Sequence, residues 1–202
     1  MIKAVFFDLG KVLADFNWKP AAEKIAENSA MTPDEVYALC TGSAMALEYE
    51  TGKIETKLFF ERLKNELNYN GSIRQLQDIW SDIFTPISKH LELLGKIRVN
   101  YPVGLISNTN EAHVEWITKK FGFLNWFPKP TYSFIAGYLK PHEKIFQDAL
   151  KALSVRAEES LFIDDLEVNV LAAMKLGMRT IQLSPGKDLE EELINFRIKG
   201  IK

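Results

Sequence analysis

The chain has 202 residues, enough for one well-cored domain with an insert, and its 47% hydrophobic content excludes a disordered chain. Its 25 Lys and Arg nearly balance its 27 Asp and Glu, which argues against a nucleic-acid binder that relies on phosphate contacts. The single cysteine, Cys40, cannot form an internal disulfide, and no apolar segment reaches the ~20 residues that span a membrane. We expect a cytoplasmic protein that binds neither nucleic acid nor membrane, as a monomer or a homodimer.

Five short apolar runs predict buried parallel strands, because they are β-branched or aromatic on both faces instead of alternating. These runs cover residues 2–7, 102–106, 132–135, 161–163 and 179–183. Helical patterns separate the later runs and cover residues 111–121, 143–153 and 168–176. Strands that alternate with helices indicate βαβ units, so the predicted fold class is α/β with an open, Rossmann-like parallel sheet.

The long interval between the first two predicted strands contains helix signals and no convincing strand. Residues 32–35, Thr-Pro-Asp-Glu, form a capping box with proline at the first helical position, which predicts a helix start. Further helices are predicted over residues 56–67, from Ser72 onwards and over residues 88–99. We interpret residues 16–85 as a helical cap subdomain inserted into a core of residues 1–15 and 86–202. A surface helix is expected within residues 187–202.

Polar residues follow the predicted strands at the sheet edge where open parallel sheets bind ligands. They are Asp8 after the first strand, Ser107, Asn108 and Thr109 after the second, Asp164 and Asp165 after the fourth, and Lys140 before a helix. Converging carboxylates repel one another unless a cation joins them, and oxygen ligands select a hard ion such as Mg²⁺. With the lysine as a second positive charge, this site suits a phosphate dianion, whose phosphorus an ionised aspartate can attack.

Four motifs resemble those of the haloacid dehalogenase superfamily, and they occur in the family's order: VFFDLG, GLISN, LKPHEKIF and LFIDDLEVNVLAAMKLG. The resemblance covers the whole chain. It implies a Mg²⁺-dependent hydrolase with an inserted helical cap and a strand order of third, second, first, fourth, fifth.

Residue roles follow from the resemblance position by position. It implies that Asp8 is the nucleophile and a metal ligand, and that Ser107 and Lys140 are catalytic residues that hold the phosphate, with Asn108 beside them in the binding site. The implied metal ligands are Asp8, the carbonyl of Gly10, Asp165 directly and Asp164 through water. Asn169, one helical turn after Asp165, resembles a group that orients this loop.

The chain departs from the family at Gly10, where phosphatases usually carry a second aspartate that protonates the leaving group. The metal-binding carbonyl is retained, but acid–base help worth about 10² to 10⁴ in rate is lost. Three explanations stay open: Asp15 or a cap side chain transfers the proton, the leaving group departs unaided, or turnover is vestigial. Lys11 adds a cation near the site, where it either binds substrate or points to solvent.

Three functions remain open at this stage. The first motif is closest to members that resemble sugar-phosphate phosphatases and epoxide-hydrolase N-terminal domains. We therefore predict first a Mg²⁺-dependent phosphatase that acts on a small phosphorylated metabolite, such as a sugar phosphate, through an aspartyl-phosphate on Asp8. The alternative is a catalytically weak phosphate-binding or regulatory protein, and the third is a 2-haloacid dehalogenase. Trp18, Glu48 and Tyr49 are candidates for lining the substrate pocket.

Overall fold

The computed structural model describes residues 1–201 and alternates strands with helices along most of the chain. In chain order the elements are β1 (Ala4–Phe7), β2 (Ala14–Phe16), α1 (Lys19–Ala26), α2 (Pro33–Gly42), α3 (Ala44–Glu50), α4 (Thr56–Glu66), α5 (Ile73–Ser81), β3 (Phe84–Pro86), α6 (Ser88–Ile97), β4 (Val103–Ser107), α7 (Glu111–Phe121), β5 (Thr131–Tyr132), α8 (Ser133–Ala136), α9 (Glu143–Leu153), β6 (Ser160–Asp164), α10 (Glu167–Lys175), β7 (Arg179–Gln182) and α11 (Leu189–Asn195). The predicted α/β class is confirmed.

The central sheet is parallel and has the strand order β5-β4-β1-β6-β7, which confirms the predicted order. β1 lies in the middle, with Val5 opposite Val103 of β4 and opposite Leu161 of β6. Every residue of β1 is buried because helices cover both faces of the sheet. This order places the carboxyl ends of β1, β4 and β6 side by side at one edge.

The third predicted strand, residues 132–135, is largely wrong. The strand ends at Tyr132, and Ser133 begins the short helix α8. The buried Ser133 hydroxyl donates to the carbonyl of Thr109 at 2.9 Å and accepts from the Thr109 N–H at 3.0 Å. These bonds turn the chain away from the sheet and leave Ile135 72% exposed, so the apolar run does not continue as a core strand. The other four predicted strands occur with ends shifted by one or two residues.

The segment of residues 16–85, hereafter the insert, contains α1 to α5 and a hydrophobic cluster of its own. The predicted capping box at Thr32 is present, and the helix that begins after Ser72 has a capping box as well. An aromatic group fills the cluster, with the rings of Tyr49 and Phe59 stacked at 4.2 Å and Trp80 at 5.4 Å from Phe59. These contacts hold the helices of the insert together.

The expectation that no strand occurs between the first two sheet strands is wrong. β2 pairs with β3 in an antiparallel ribbon, with Asp15 opposite Thr85. Each strand has only three residues, which is too short for a periodic pattern to appear in the sequence. The ribbon joins the two ends of the insert beside the end of β1.

The C-terminal helix also differs from its prediction as a surface element. Leu189 and Leu193 of α11 are buried in the main core cluster, because the helix packs its apolar side against the sheet domain. The last predicted residue of this segment, Lys202, lies outside the described residues. Within residues 1–201, no helix combines the length and the apolar character that crossing a bilayer requires.

Candidate active site

Asp8 is fixed at the end of the central strand. Its backbone N–H donates to the carbonyl of Ile163 at 2.9 Å, so the parallel pairing of β1 with β6 continues to this residue. The Oδ1 atom accepts a hydrogen bond from the N–H of Leu9 at 2.7 Å. The residue is buried, and its carboxylate therefore lies at the sheet edge with little contact with water.

Lys140 lies between two of the carboxylates. Its Nζ atom is 2.7 Å from Oδ1 of Asp8 and 2.7 Å from Oδ2 of Asp164, and its side chain is only 1% exposed. Asn108 holds the backbone of this lysine, because its Oδ1 accepts from the Lys140 N–H at 2.7 Å and its Nδ2 donates to the Lys140 carbonyl at 3.0 Å. The Asn108 side chain thus positions the lysine and keeps a second Nδ2 hydrogen for other contacts.

The electrostatics of this cluster indicate an excess of negative charge. Burial raises the pKa of Asp8 to about 7, the charge of Asp164 adds to the effect, and Lys140 only partly opposes it. Burial would lower the pKa of Lys140, but attraction to both carboxylates outweighs this and raises it. The pKa of Asp165 is also raised, by burial and by its neighbour Asp164. One ammonium therefore does not balance three carboxylates.

The donor set fits a hard divalent cation. Oxygen atoms of Asp8, Asp164 and Asp165 all lie within 4.8 Å of one another, and His and Cys are absent from this group of described residues. Among residues 1–201, no backbone N–H group donates a hydrogen bond to the carbonyl oxygen of Gly10. Mg²⁺ prefers a few carboxylate and carbonyl oxygens together with water, so these residues match its requirements.

Asp164 and Asp165 differ in how many hydrogen bonds their carboxylate oxygens accept from the protein. Oδ1 of Asp164 accepts from the N–H of Leu166 at 2.8 Å, and Nδ2 of Asn169 lies 3.1 Å from both Asp164 oxygens. Together with the Lys140 contact, these bonds occupy Asp164. Asp165 is half-buried, and within residues 1–201 no side-chain partner reaches its carboxylate. Asp165 therefore has the freer oxygens for a metal ion.

Asp15 is an unfavourable source of the missing proton. The Lys11 ammonium forms an ion pair with the Asp15 carboxylate and lies 4.6 Å from the ring centre of Phe16. The hydrogen bond from the Lys11 ammonium lowers the pKa of Asp15, and the Asp15 side chain is also exposed to solvent. Lys11 adopts φ 58° and is half-exposed, and its positive charge opposes the burial that raises the pKa of Asp165.

Phe16 occupies the space beside Gly10. A Cβ atom at Gly10 would lie 3.0 Å from Cε1 of the Phe16 ring, which is closer than ordinary van der Waals contact. The glycine thus allows the aromatic ring to pack against the loop that follows β1. A larger side chain at this position would require the Phe16 ring to shift.

A cavity of about 130 Å³ lies between the sheet edge and the insert. Gly10, Ser107 and Asn108 line it from the sheet domain, and Trp18, Thr41 and Glu50 line it from the insert. Ser107 is buried, and within residues 1–201 its hydroxyl makes no hydrogen bond, so it is free to meet a ligand.

Of the three candidates in the insert for the substrate pocket, Trp18 lines this cavity, and Glu48 and Tyr49 do not. Glu48 is exposed, and Tyr49 packs among aromatic rings and faces a different depression. Glu50 was missed, although helical spacing could have found it. It lies four residues after the buried Ala46, on the same face of α3.

The remaining titratable groups of the cavity are neutral near pH 7. Burial lowers the pKa of His113 to about 3, and burial raises the pKa of the Cys40 thiol to about 12. His113 stacks on Trp80 at 4.2 Å, and Cys40 packs in the hydrophobic cluster of the insert. Both residues therefore serve as walls of the cavity.

Comparisons with known proteins assign the family. Residues 2–177 match the model of the haloacid dehalogenase-like hydrolases. The chain is 27% identical over 200 residues to a D-ribitol-5-phosphate phosphatase of Bacteroides thetaiotaomicron, covering 96% of this chain and 97% of that protein. It is 26% identical to a sesquiterpene phosphatase of Aspergillus oryzae, covering 90% of each. The chain belongs to the haloacid dehalogenase-like hydrolase family, as its four motifs predicted, and is a hydrolase.

Solved structures agree with this assignment. A crystal structure of a haloacid dehalogenase family enzyme from Bacteroides thetaiotaomicron, in complex with magnesium and inorganic phosphate, superimposes with a TM-score of 0.85 at 27% identity. The match covers 95% of this chain and 99% of that one. An L-2-haloacid dehalogenase from Xanthobacter autotrophicus shares the fold at a TM-score of 0.67, but at 18% identity it bears on the fold alone.

Proposed function

We propose that the protein is a Mg²⁺-dependent phosphatase that hydrolyses a small phosphorylated metabolite of the sugar-phosphate or polyol-phosphate type. The cluster of Asp8, Asp164 and Asp165 around Lys140 carries this proposal, because such buried negative charge requires a divalent cation, which together with Lys140 can hold a phosphate. The magnesium and phosphate bound to the related Bacteroides enzyme support it, and so does the ribitol phosphate substrate of the curated relative.

The proposed metal ligands are Asp8, Asp165 and the carbonyl of Gly10, with Asp164 acting through water. When bound, Mg²⁺ supplies positive charge that offsets the repulsion between a carboxylate nucleophile and a phosphate dianion. Ser107 donates its hydroxyl hydrogen to a phosphoryl oxygen, and the Lys140 ammonium faces the same group. Lys11 is bound to Asp15 and is assigned no direct role in holding the phosphate.

The chemistry proceeds in two displacements on phosphorus. A carboxylate oxygen of Asp8 forms a bond to phosphorus while the bond to the leaving alcohol oxygen breaks, which gives an aspartyl-phosphate. Water then attacks the phosphorus of this intermediate, which releases inorganic phosphate and restores the Asp8 carboxylate. The insert acts as a cap in this proposal, since it closes the cavity over the sheet edge and restricts the size of the leaving group.

Phosphate release from a panel of phosphomonoesters, with Mg²⁺ or with excess chelator, tests this function. We expect Mg²⁺-dependent release from polyol and sugar phosphates. Absence of release across the panel with Mg²⁺ present would contradict the proposal. Chloride release from 2-haloacids without added metal would favour the dehalogenase instead.

The Gly10→Asp variant tests whether the protein is an active phosphatase or one that lost its activity together with the aspartate at position 10. We expect no rise in kcat, because the new side chain meets Phe16 at 3.0 Å and adds a carboxylate beside Asp8. Gly10→Ala is the matched control for the added Cβ atom, and phosphate release under saturating Mg²⁺ is the measurement. An increase of tenfold or more in Gly10→Asp would support the catalytically weak alternative.

A further inference from the structure

A carboxyl group of the insert lines the cavity at the sheet edge. Glu50 is the last residue of α3, and its side chain lines the same cavity as Gly10 and Ser107. The leaving group is on the opposite side of phosphorus from Asp8, which directs it away from the sheet and toward the insert. Of the described residues that line this cavity, Glu50 is the one whose side chain can carry charge near neutral pH.

We propose that Glu50 is a catalytic residue that protonates the leaving alcohol and then activates the attacking water, in place of the side chain that Gly10 lacks. This assignment rests on the phosphatase function proposed above. The candidates for the proton transfer were Asp15 and a side chain of the insert. The assignment favours the insert, because Asp15 is ion-paired with Lys11 and does not line the cavity.

The surroundings of Glu50 favour a carboxyl that can hold a proton. Within residues 1–201, no side chain forms an ion pair or a hydrogen bond with it, and burial alone raises its pKa. Its place at the C-terminal end of α3 acts in the same direction, because the negative end of the helix dipole disfavours a nearby negative charge. A carboxyl with these properties serves as an acid in one step and as a base in the next.

The helix that carries Glu50 is tied to the sheet domain next to the phosphate-binding loop. The hydroxyl of Tyr49 is 2.8 Å from the hydroxyl of Thr56 and accepts a hydrogen bond from the N–H of Ala112 at 3.1 Å. Ala112 lies at the start of α7, four residues after Asn108. These bonds fix α3 relative to the loop after β4, so Glu50 keeps its position across the cavity from Ser107.

Atoms and charges balance over the two steps. As the Asp8 oxygen bonds to phosphorus and the phosphorus–alcohol bond breaks, the Glu50 carboxyl gives its proton to the alcohol oxygen. The Glu50 carboxylate then takes a proton from the water whose oxygen attacks the aspartyl-phosphate. The products are the alcohol, inorganic phosphate, the Asp8 carboxylate and a Glu50 carboxyl that again carries a proton.

Two small probes with different leaving groups test the assignment in Glu50→Gln with Mg²⁺ present. Ethyl phosphate releases an alcohol that needs a proton, and acetyl phosphate releases acetate, which needs none. We expect kcat/KM for ethyl phosphate to fall by about 10² to 10⁴. With acetyl phosphate, the phosphorylated protein should form at the native rate and accumulate, because the water is no longer activated; intact-protein mass spectrometry after rapid quenching measures it.

Two further variants separate a catalytic role from a structural one. Glu48→Gln changes an exposed glutamate of the same helix and should leave both reactions unchanged. Glu50→Asp keeps the carboxyl at a shorter reach, and we expect part of the ethyl phosphate activity to return. Melting temperatures of all variants establish that each protein is folded.

Three results would overturn the assignment. One is turnover of ethyl phosphate by Glu50→Gln within threefold of the native rate. Another is an equal loss in phosphorylation from both probes, which would indicate a structural role. The third is that the native protein becomes phosphorylated by neither probe, which would remove the proposed function together with this inference.

Discussion

Asp8→Asn should reduce phosphate release by at least about 10⁴-fold while the protein stays folded, because an amide cannot attack phosphorus. This prediction depends on the contacts that hold Asp8 in place. Its backbone is held by the sheet through Ile163, and its Oδ1 is held by Leu9 and Lys140, so the substitution preserves the shape of the site while it removes the nucleophile and its charge. Steady-state phosphate release and mass spectrometry for a phosphorylated protein provide the measurement.

The same variant has an expected effect on stability in the absence of metal. The pKa of Asp8 is about 7 in the folded protein and near 3.8 when unfolded, so the unfolded chain loses this proton first as pH rises. The folded native protein therefore loses stability between about pH 4 and pH 7, by an amount on the order of 4 kcal/mol. Asp8→Asn removes this loss, and its metal-free melting temperature above pH 7 should exceed that of the native protein.

A matched substitution tests the cause of both effects. Asp148 is an exposed aspartate of α9, and Asp148→Asn should change neither activity nor the pH dependence of melting. If Asp8→Asn retained more than a hundredth of the native activity, Asp8 would not be the nucleophile. If its metal-free melting curve followed the native one at every pH, the raised pKa of Asp8 would be wrong.

The sheet and the residues at its edge could be predicted because their signals are local in the sequence. A buried strand followed at once by a charged or hydroxyl side chain marks Asp8, Ser107 and Asp164, and the parallel order of strands brings their ends together. The capping boxes at Thr32 and Ser72 were equally local, since each needs only four consecutive residues.

The features that escaped prediction depend on contacts between distant parts of the chain. Ser133 ends a strand because its hydroxyl forms hydrogen bonds with Thr109, 24 residues earlier, and the residues next to Ser133 in the sequence do not indicate this contact. Glu50 gains its position through the hydrogen bond from Ala112 of α7 to the hydroxyl of Tyr49 of α3, which joins the insert to the sheet domain. Phe16 explains Gly10 only after the β2–β3 ribbon has placed the aromatic ring beside the loop.

Lys140→Met should be the most damaging single substitution for stability at this site. The lysine gives the only side-chain cation that the described residues place between Asp8 and Asp164, at 2.7 Å from each. Its loss leaves buried carboxylates without a counter-charge, and removing one partner of such a pair costs about 3 to 5 kcal/mol. We expect this destabilisation in thermal melting of the metal-free protein near neutral pH.

The pH dependence and the response to Mg²⁺ distinguish this electrostatic cause from a packing defect. Burial already raises the pKa of Asp8, and loss of the ammonium raises it further, so a falling pH protonates the carboxyl and restores stability to Lys140→Met. Saturating Mg²⁺ should restore much of the stability but leave activity reduced by about 10³-fold, because the charge that Lys140 offers to the phosphoryl group stays absent.

Lys53→Met, at an exposed lysine, is the control and should be neutral in both assays. A Lys140→Met protein whose stability deficit is the same at every pH and unaffected by Mg²⁺ would contradict this account, since lost methylene packing alone depends on neither.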